Sequence, residues 1–217
     1  MTTKARGPRV FKGALVSIGS TDPTPQVISF QYNPATLKRS LKPLMVGGEA
    51  GDRSQSVRIT GAPTETYSVE IEIDAADDLD NGDPVATTLG IQPQLALLEL
   101  LIYPALSRVM ENAALLSAGT IEIAPITAPR LLFVWGQRRV LPVQLSAYSI
   151  SEEEFDSSLN PIRATVSLEM RVLTYSDLSA SNADYHQYLA YQQSLMSIAD
   201  SAGSPGRGGL AGVTIVP

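Results

Sequence analysis

One histidine and two runs of acidic residues are the groups in this 217-residue chain whose types could do chemistry. A transition-metal site needs several imidazole, thiolate or carboxylate ligands held together. The chain has no cysteine, and its lone histidine, His186, lies in a polar C-terminal segment. His186 therefore reads as a solvated helix residue. The first acidic run, Asp74 to Asp83, holds Asp77, Asp78, Asp80, Asn81, Gly82 and Asp83. It superficially resembles a calcium loop, but such a loop closes on a glutamate at its twelfth position. Starting the count at Asp77 puts Thr88 there. The second run, Glu152-Glu153-Glu154-Phe155-Asp156, reads as an exposed turn between strands. Paired carboxylates can hydrolyse glycosides, yet no spacing here selects a pair. Nucleophile-elbow, P-loop and dinucleotide fingerprints are absent, and Gly206-Arg207-Gly208-Gly209 lies far from any strand–helix unit. The reading is a non-enzyme with no catalytic residue, no cofactor and no metal.

Composition fits that reading. Hydrophobic residues make up 44% of the chain, enough for a sizeable core. Charged residues are 18%, below the roughly 25% common in soluble domains. A net charge of −6 argues against nucleic acid as the main partner. Residues 1–13 are basic, but no apolar signal-peptide core follows them. The most apolar stretch, Leu95 to Ile102, is too short to span a bilayer. These features predict a soluble chain made in the cytoplasm, with no direct membrane insertion.

The hydrophobic periodicity then places elements. Phe11 to Ile18 and Val27 to Tyr32 read as strands, separated by a proline-broken turn and stopped at Asn33-Pro34. Tyr67, Val69, Ile71 and Ile73 alternate with polar residues, which marks a strand with one buried face. Asp77 to Pro84 reads as a polar turn. Gln94 to Leu101 is apolar almost all round, which predicts a helix buried on most sides, begun near Pro93 and ended by Pro104. Ala105 to Leu116 reads as a second helix. Thr120 to Ile123, Arg130 to Trp135, Leu141 to Ala147 and the long Ile162 to Val172 read as strands. Asn182 to Ala199 reads as an amphipathic helix with Tyr185, Tyr188, Leu189, Leu195 and Ile198 as anchors. Ser201 to Pro217 reads as a Gly/Pro tail whose end, Val213 to Val216, could add a strand to a neighbour. The sum is an α+β domain, an antiparallel β-sandwich or barrel with one buried helix packed on it, plus a C-terminal helix and tail.

Between Leu37 and Pro63 the pattern fades, and Lys38, Arg39, Lys42, Arg53 and Arg58 are spread through it. This segment reads as either a mobile loop or a long hairpin that lacks its own core; under the ring reading that the resemblance below implies, it orders only on assembly, crossing to a neighbour.

Three segments together resemble the tube-like domain of contractile injection systems, a family that includes the LysM-bearing baseplate adaptor proteins of contractile phage tails. The first is Phe30-Gln31-Tyr32-Asn33-Pro34. The second is Gln94 to Pro104, with Leu95 and Leu98 inside it. The third runs from Pro129 to Leu173. It contains Phe133, Trp135-Gly136, Phe155, and Pro161 with Arg163, the last on a polar strand face within reach of Glu152, Glu153, Glu154 or Asp156. All of these read as fold determinants.

The resemblance covers residues 11–175 and implies a fold of the phage tail tube type, built into a homo-hexameric ring. It implies an adaptor that joins the inner-tube protein to the spike and baseplate hub proteins, inside a phage-tail-like particle assembled in the cytoplasm, with release alongside the particle left open. Residues 1–10 read as a flexible N-terminus and 176–217 as an appendage of helix and tail. No LysM domain is evident after Tyr175, a departure from the longer family members. Two other readings stay open: the repeating inner-tube subunit of the same machine, and a free β-sandwich binding carbohydrate or protein, with Trp135 and the tyrosines as platforms.

Overall fold

The computed structural model describes residues 11–19, 24–46, 58–119 and 129–201. Arg53, the strand expected at Thr120 to Ile123 and the segment Val213 to Val216 lie outside them. No helix among the described residues is long and apolar enough to cross a membrane.

Strands β1 (Ala14–Ile18), β2 (Gln26–Ser29), β3 (Leu37–Lys42), β6 (Thr64–Asp74), β7 (Arg130–Val134), β8 (Val140–Phe155) and β9 (Pro161–Val172) form one antiparallel sheet in the order β2-β1-β7-β8-β9-β6-β3. A two-residue ribbon, β4 (Met45–Val46) with β5 (Arg58–Ile59), stands apart. The helices are α1 (Ala76–Asp80), α2 (Pro84–Leu89), α3 (Gln92–Glu99), α4 (Leu106–Ser117) and α5 (Ala183–Ser201). The class is α+β, as the periodicity indicates, and the sheet stays open rather than closing into a barrel.

The sheet nevertheless folds over on itself. Two strands separate β7 from β6 in the sheet order, yet the Phe133 and Tyr67 rings meet at 5.5 Å. Between the layers lie Leu15, Val69, Ile71, Leu141, Val166, Leu168 and Met170. Each fully buried side chain of this size contributes about 1.5–3 kcal/mol. β9 shows why the fold settles here. Its alternation puts Ala164, Val166, Leu168, Met170 and Val172 in the core and its polar residues outside, a register that a one-residue slip would invert.

Several elements differ from the sequence expectation. The presumed turn at Asp77 to Pro84 forms α1 and begins α2. The Asp83 carboxylate accepts from the Val85 and Ala86 N–H groups, and Pro84 supplies the preset first helical residue. The run Glu152 to Glu154 is not a turn but the far end of β8, paired to Ala164 and Arg163. The chain reverses later, at Asp156 to Asn160. The Leu37–Pro63 segment is partly ordered, since β3 pairs along β6 from Lys42↔Thr64 to Leu37↔Val69. Helix α3 buries Leu95 and Leu98, but Leu97 is exposed, as are Leu100 and Ile102 beyond it. It is covered on one side, not on most.

Helix α5 packs on the body. Asn182 Oδ1 accepts from the Asp184 N–H at its start, and Gln187 donates to the Val140 carbonyl. The buried Asp184 pairs with Arg130. Its buried aromatics are Tyr188 and Tyr191, while Leu195 and Ile198 stay exposed.

Candidate functional site

Within the two acidic runs, Asp74, Asp83, Glu154 and Asp156 have structural partners. Asp74 accepts from the Ala76 N–H and pairs with Arg163. Its carboxyl is held below its ordinary value first by that backbone bond, then by Arg163, with burial opposing. Asp156 ties its own turn, accepting from the Ser158 and Asn160 N–H groups and the Asn160 amide. The Asn160 side chain is the main reason its carboxyl is lowered. Among the described residues, no group of three or more His, Asp or Glu side chains could hold a metal ion. His186 is exposed and meets Tyr185 edge-on.

The residues of the three motifs fall into two joints. In the first, Phe30 is buried and its N–H donates to the Gly13 carbonyl. Asn33 continues this pairing with its side chain, accepting from the Gly13 N–H and donating to the Phe11 carbonyl. Pro34 follows, where the ladder ends. Trp135 stacks on Phe133 at 5.9 Å. A Cβ on Gly13 would come 2.7 Å from Phe30 and 2.9 Å from Trp135, so only glycine lets these two rings close over β1. Gly136, at φ 71, opens the turn beyond. Trp135 is therefore half-buried packing rather than an open platform for sugar.

In the second joint, the α2–α3 corner sits on the start of β9. The Ile91 N–H donates to the Pro161 carbonyl at 2.9 Å. Asn160 bridges to the Thr88 carbonyl and to Gln92. Gly90 has φ 57, and a Cβ there would lie 2.1 Å from the Pro161 oxygen. Leu95 and Leu98 are thereby set into the core. Pro104 lies on the exposed chain between α3 and α4. Arg163 joins Asp74 and Glu154 at 2.8 Å each. Of the acids expected near it, Glu154 is the one it bonds; Asp74, from another strand, was not foreseen. Phe155 stays half-exposed.

Of the basic residues between Leu37 and Pro63, Lys38, Lys42 and Arg58 are exposed. Arg39 turns inward to Glu65 at 2.6 Å. Glu65 is 1% exposed, and sequence reasoning missed it because a lone Glu in an alternating strand reads as solvent-facing. Arg39 and Arg139 both lie over the Tyr67 ring, at 5.8 and 5.7 Å. Burial, then Glu65 and Tyr191, push the Tyr67 phenol up.

The feature with the clearest consequence is the sheet's unfinished rim. β3 ends the sheet, and its outer edge meets no strand among the described residues. β7 covers β8 only from Val140 to Val143. From Gln144 to Phe155, no described strand pairs with β8 on the side away from β9. β3, β6, β9 and the far half of β8 thus make a four-stranded patch with two edges that no described strand pairs. Because each neighbouring pair is antiparallel, β3 and β8 run in opposite directions. The outer face of the patch is polar, with Lys38, Ser68, Glu70, Ser149, Ser167 and Glu169 around a groove of about 310 Å³. Open edges of this length are ordinarily paired, covered or blunted.

No protein-family model matches the sequence, and no curated protein sequence matches it. Among solved structures, the chain is similar to one in a six-fold symmetrised electron cryomicroscopy structure of the anti-feeding prophage baseplate. The match has 14% identity and a TM-score of 0.26, over 80% of this chain and 94% of that one. A likeness this loose says nothing about function.

Proposed function

We propose that this chain is a non-enzymatic structural ring subunit of a phage-tail-like contractile injection machine, an adaptor between the inner tube and the baseplate and spike hub. The observation that carries the reading is the pair of edges, β3 and β8, that no described strand pairs and that run in opposite directions on one four-stranded patch. When β3 of one copy lies beside β8 of the next, the antiparallel order continues without a break and both rims are paired. Repetition of such a head-to-tail contact closes a ring when the rotation permits. Six copies is the number implied by the motif resemblance. In that ring the polar face of the patch lines one surface and the helices lie on the other. The acids with structural partners and the low charged fraction accord with a building block whose work is contact.

The adaptor placement, rather than the repeating tube subunit, rests on the chain after Tyr175, whose α5 is anchored through Arg130 and Asp184. Electron microscopy of particles assembled without this chain is the test. Loss of the tube–baseplate junction is the expected result; complete, normally contracting particles would sink the reading. Copy number in purified particles separates one adaptor ring from a repeated tube subunit.

A further inference from the structure

We propose that the apolar face of α3 and α4 is covered by the β4–β5 ribbon of a second copy of this chain. The proposal rests on the ring reading above and adds a second contact to it.

Two apolar surfaces are covered by none of the described residues. No residue of α4 is buried. Leu106, Val109, Met110 and Ala113 share one side of it at the spacing of an amphipathic face, and Leu106 is 70% and Met110 64% exposed. A 12-residue helix is marginal in water without packing. The ribbon is the second such surface. Met45, Val46 and Ile59 are all exposed, Ile59 at 74%, and an isolated two-stranded ribbon is likewise marginal.

The sheet rim brings these surfaces together. β3 leads directly into the ribbon. A β3 lying antiparallel on the open edge of β8 points its C-terminal end toward Gln144, where β7 stops covering β8. At that point the edge borders a cavity of about 560 Å³ lined by Leu101, Ile102 and Leu145. That cavity lies at the end of α3, from which the chain passes to α4. The ribbon of the second copy thus arrives at a hollow to which Leu101, Ile102 and Leu145 give an apolar wall, next to the chain that leads into α4.

Charge agrees. Besides Arg39, which is paired with Glu65, the described residues of β3, β4 and β5 carry Lys38, Lys42 and Arg58 and no acid. The receiving side carries Glu99 at the end of α3 and Glu152 and Glu153 on the far half of β8, beside Glu154, which is paired with Arg163. The two surfaces differ, so the contact is heterologous and propagates from copy to copy.

The chain has no native cysteine, so introduced thiols are unique. The full-length double variant Ile59→Cys with Met110→Cys is treated with a short bis-maleimide at protein concentrations from about 10 µM to about 1 mM. Both sites are exposed, so the fold tolerates them. The expected result is a ladder of covalent multimers from the double variant and none from either single variant. Ile59→Asp, without cysteines, should weaken self-association in sedimentation by about tenfold or more. A dimer from Met110→Cys alone would mean that α4 pairs with itself and would overturn the proposal. So would the absence of any ladder, or unchanged self-association of Ile59→Asp. Ser40→Cys with Ser149→Cys reports the β3–β8 contact separately. A ladder there without one from the 59–110 pair overturns the ribbon contact and leaves the ring standing.

Discussion

The Gln31 carboxamide holds the Asp74 peptide from both sides: the Asp74 N–H donates to Gln31 Oε1 at 2.9 Å, and Gln31 Nε2 donates to the Asp74 carbonyl at 2.7 Å. A side chain just past β2 thereby does what a strand partner would do for the last residue of β6. It links the chain leaving one rim of the folded sheet to a strand near the other.

Gln31→Ala removes both bonds and leaves the Asp74 peptide short of partners. Each half-buried bond contributes on the order of 1 kcal/mol, so the variant should lose about 1–2 kcal/mol in urea unfolding. Gln31→Glu should lose more, because a second oxygen then faces the Asp74 carbonyl. A glutamate variant as stable as wild type would show that the clasp is not formed in solution.

Two glycines make a sharper prediction. Gly13→Ala pushes a methyl toward Phe30 and Trp135, an overpacking cost of about 1–3 kcal/mol. Trp135 is the only tryptophan, so its fluorescence should shift in the same variant. Gly90→Ala meets a backbone oxygen and a left-handed φ together, and should cost about 3 kcal/mol or more. If Gly13→Ala proves neutral with unchanged emission, the two rings do not close over β1.

How far the sequence reached follows from which interactions are local. The alternation of β9 and the anchors Leu95 and Leu98 are written in neighbouring residues, and they were legible. Asp83-Pro84 is equally a turn or a helix start until the following residues find their core. Glu152 to Glu154 resembled a turn because carboxylates on both faces usually mean solvent; here they belong to a strand half whose outer edge no described strand pairs. Glu65 was hidden by its charge, since its burial depends on Arg39 two strand positions along a pairing that sequence does not reveal. The open edges of β3 and β8, the core of the candidate site, depend on the order of seven strands. No local pattern encodes that order.

The Arg39–Glu65 pair permits a comparison of variants. Removing one partner of a buried pair strands the other charge, at about 3–5 kcal/mol in a dry interior. Arg39 is 30% exposed, which reduces the expected loss for Arg39→Met to about 1–3 kcal/mol. The double variant Arg39→Met with Glu65→Leu removes both charges and should recover most of that loss. A double variant no more stable than the single one would mean that the cost lies in lost packing over Tyr67, not in the orphaned carboxylate.

Acid should loosen the fold through three aspartates. Asp74, Asp156 and Asp177 all have carboxyls held below their ordinary value. For Asp177, burial works against the shift, and the Thr174 bonds with Arg171 outweigh it. A carboxyl lowered in the folded state stabilises the fold above its unfolded pKa, about 3.9, and that contribution is lost as pH falls through the folded value. Urea midpoints should therefore hold steady from about pH 7 to about pH 5 and decline below about pH 4. Asp156→Asn keeps an acceptor for the Ser158 and Asn160 N–H groups but cannot titrate. It should be less stable than wild type at neutral pH and show a shallower decline in acid, so that the two curves converge. Parallel curves would rule out Asp156 as a contributor to the acid response and leave that response to Asp74 and Asp177.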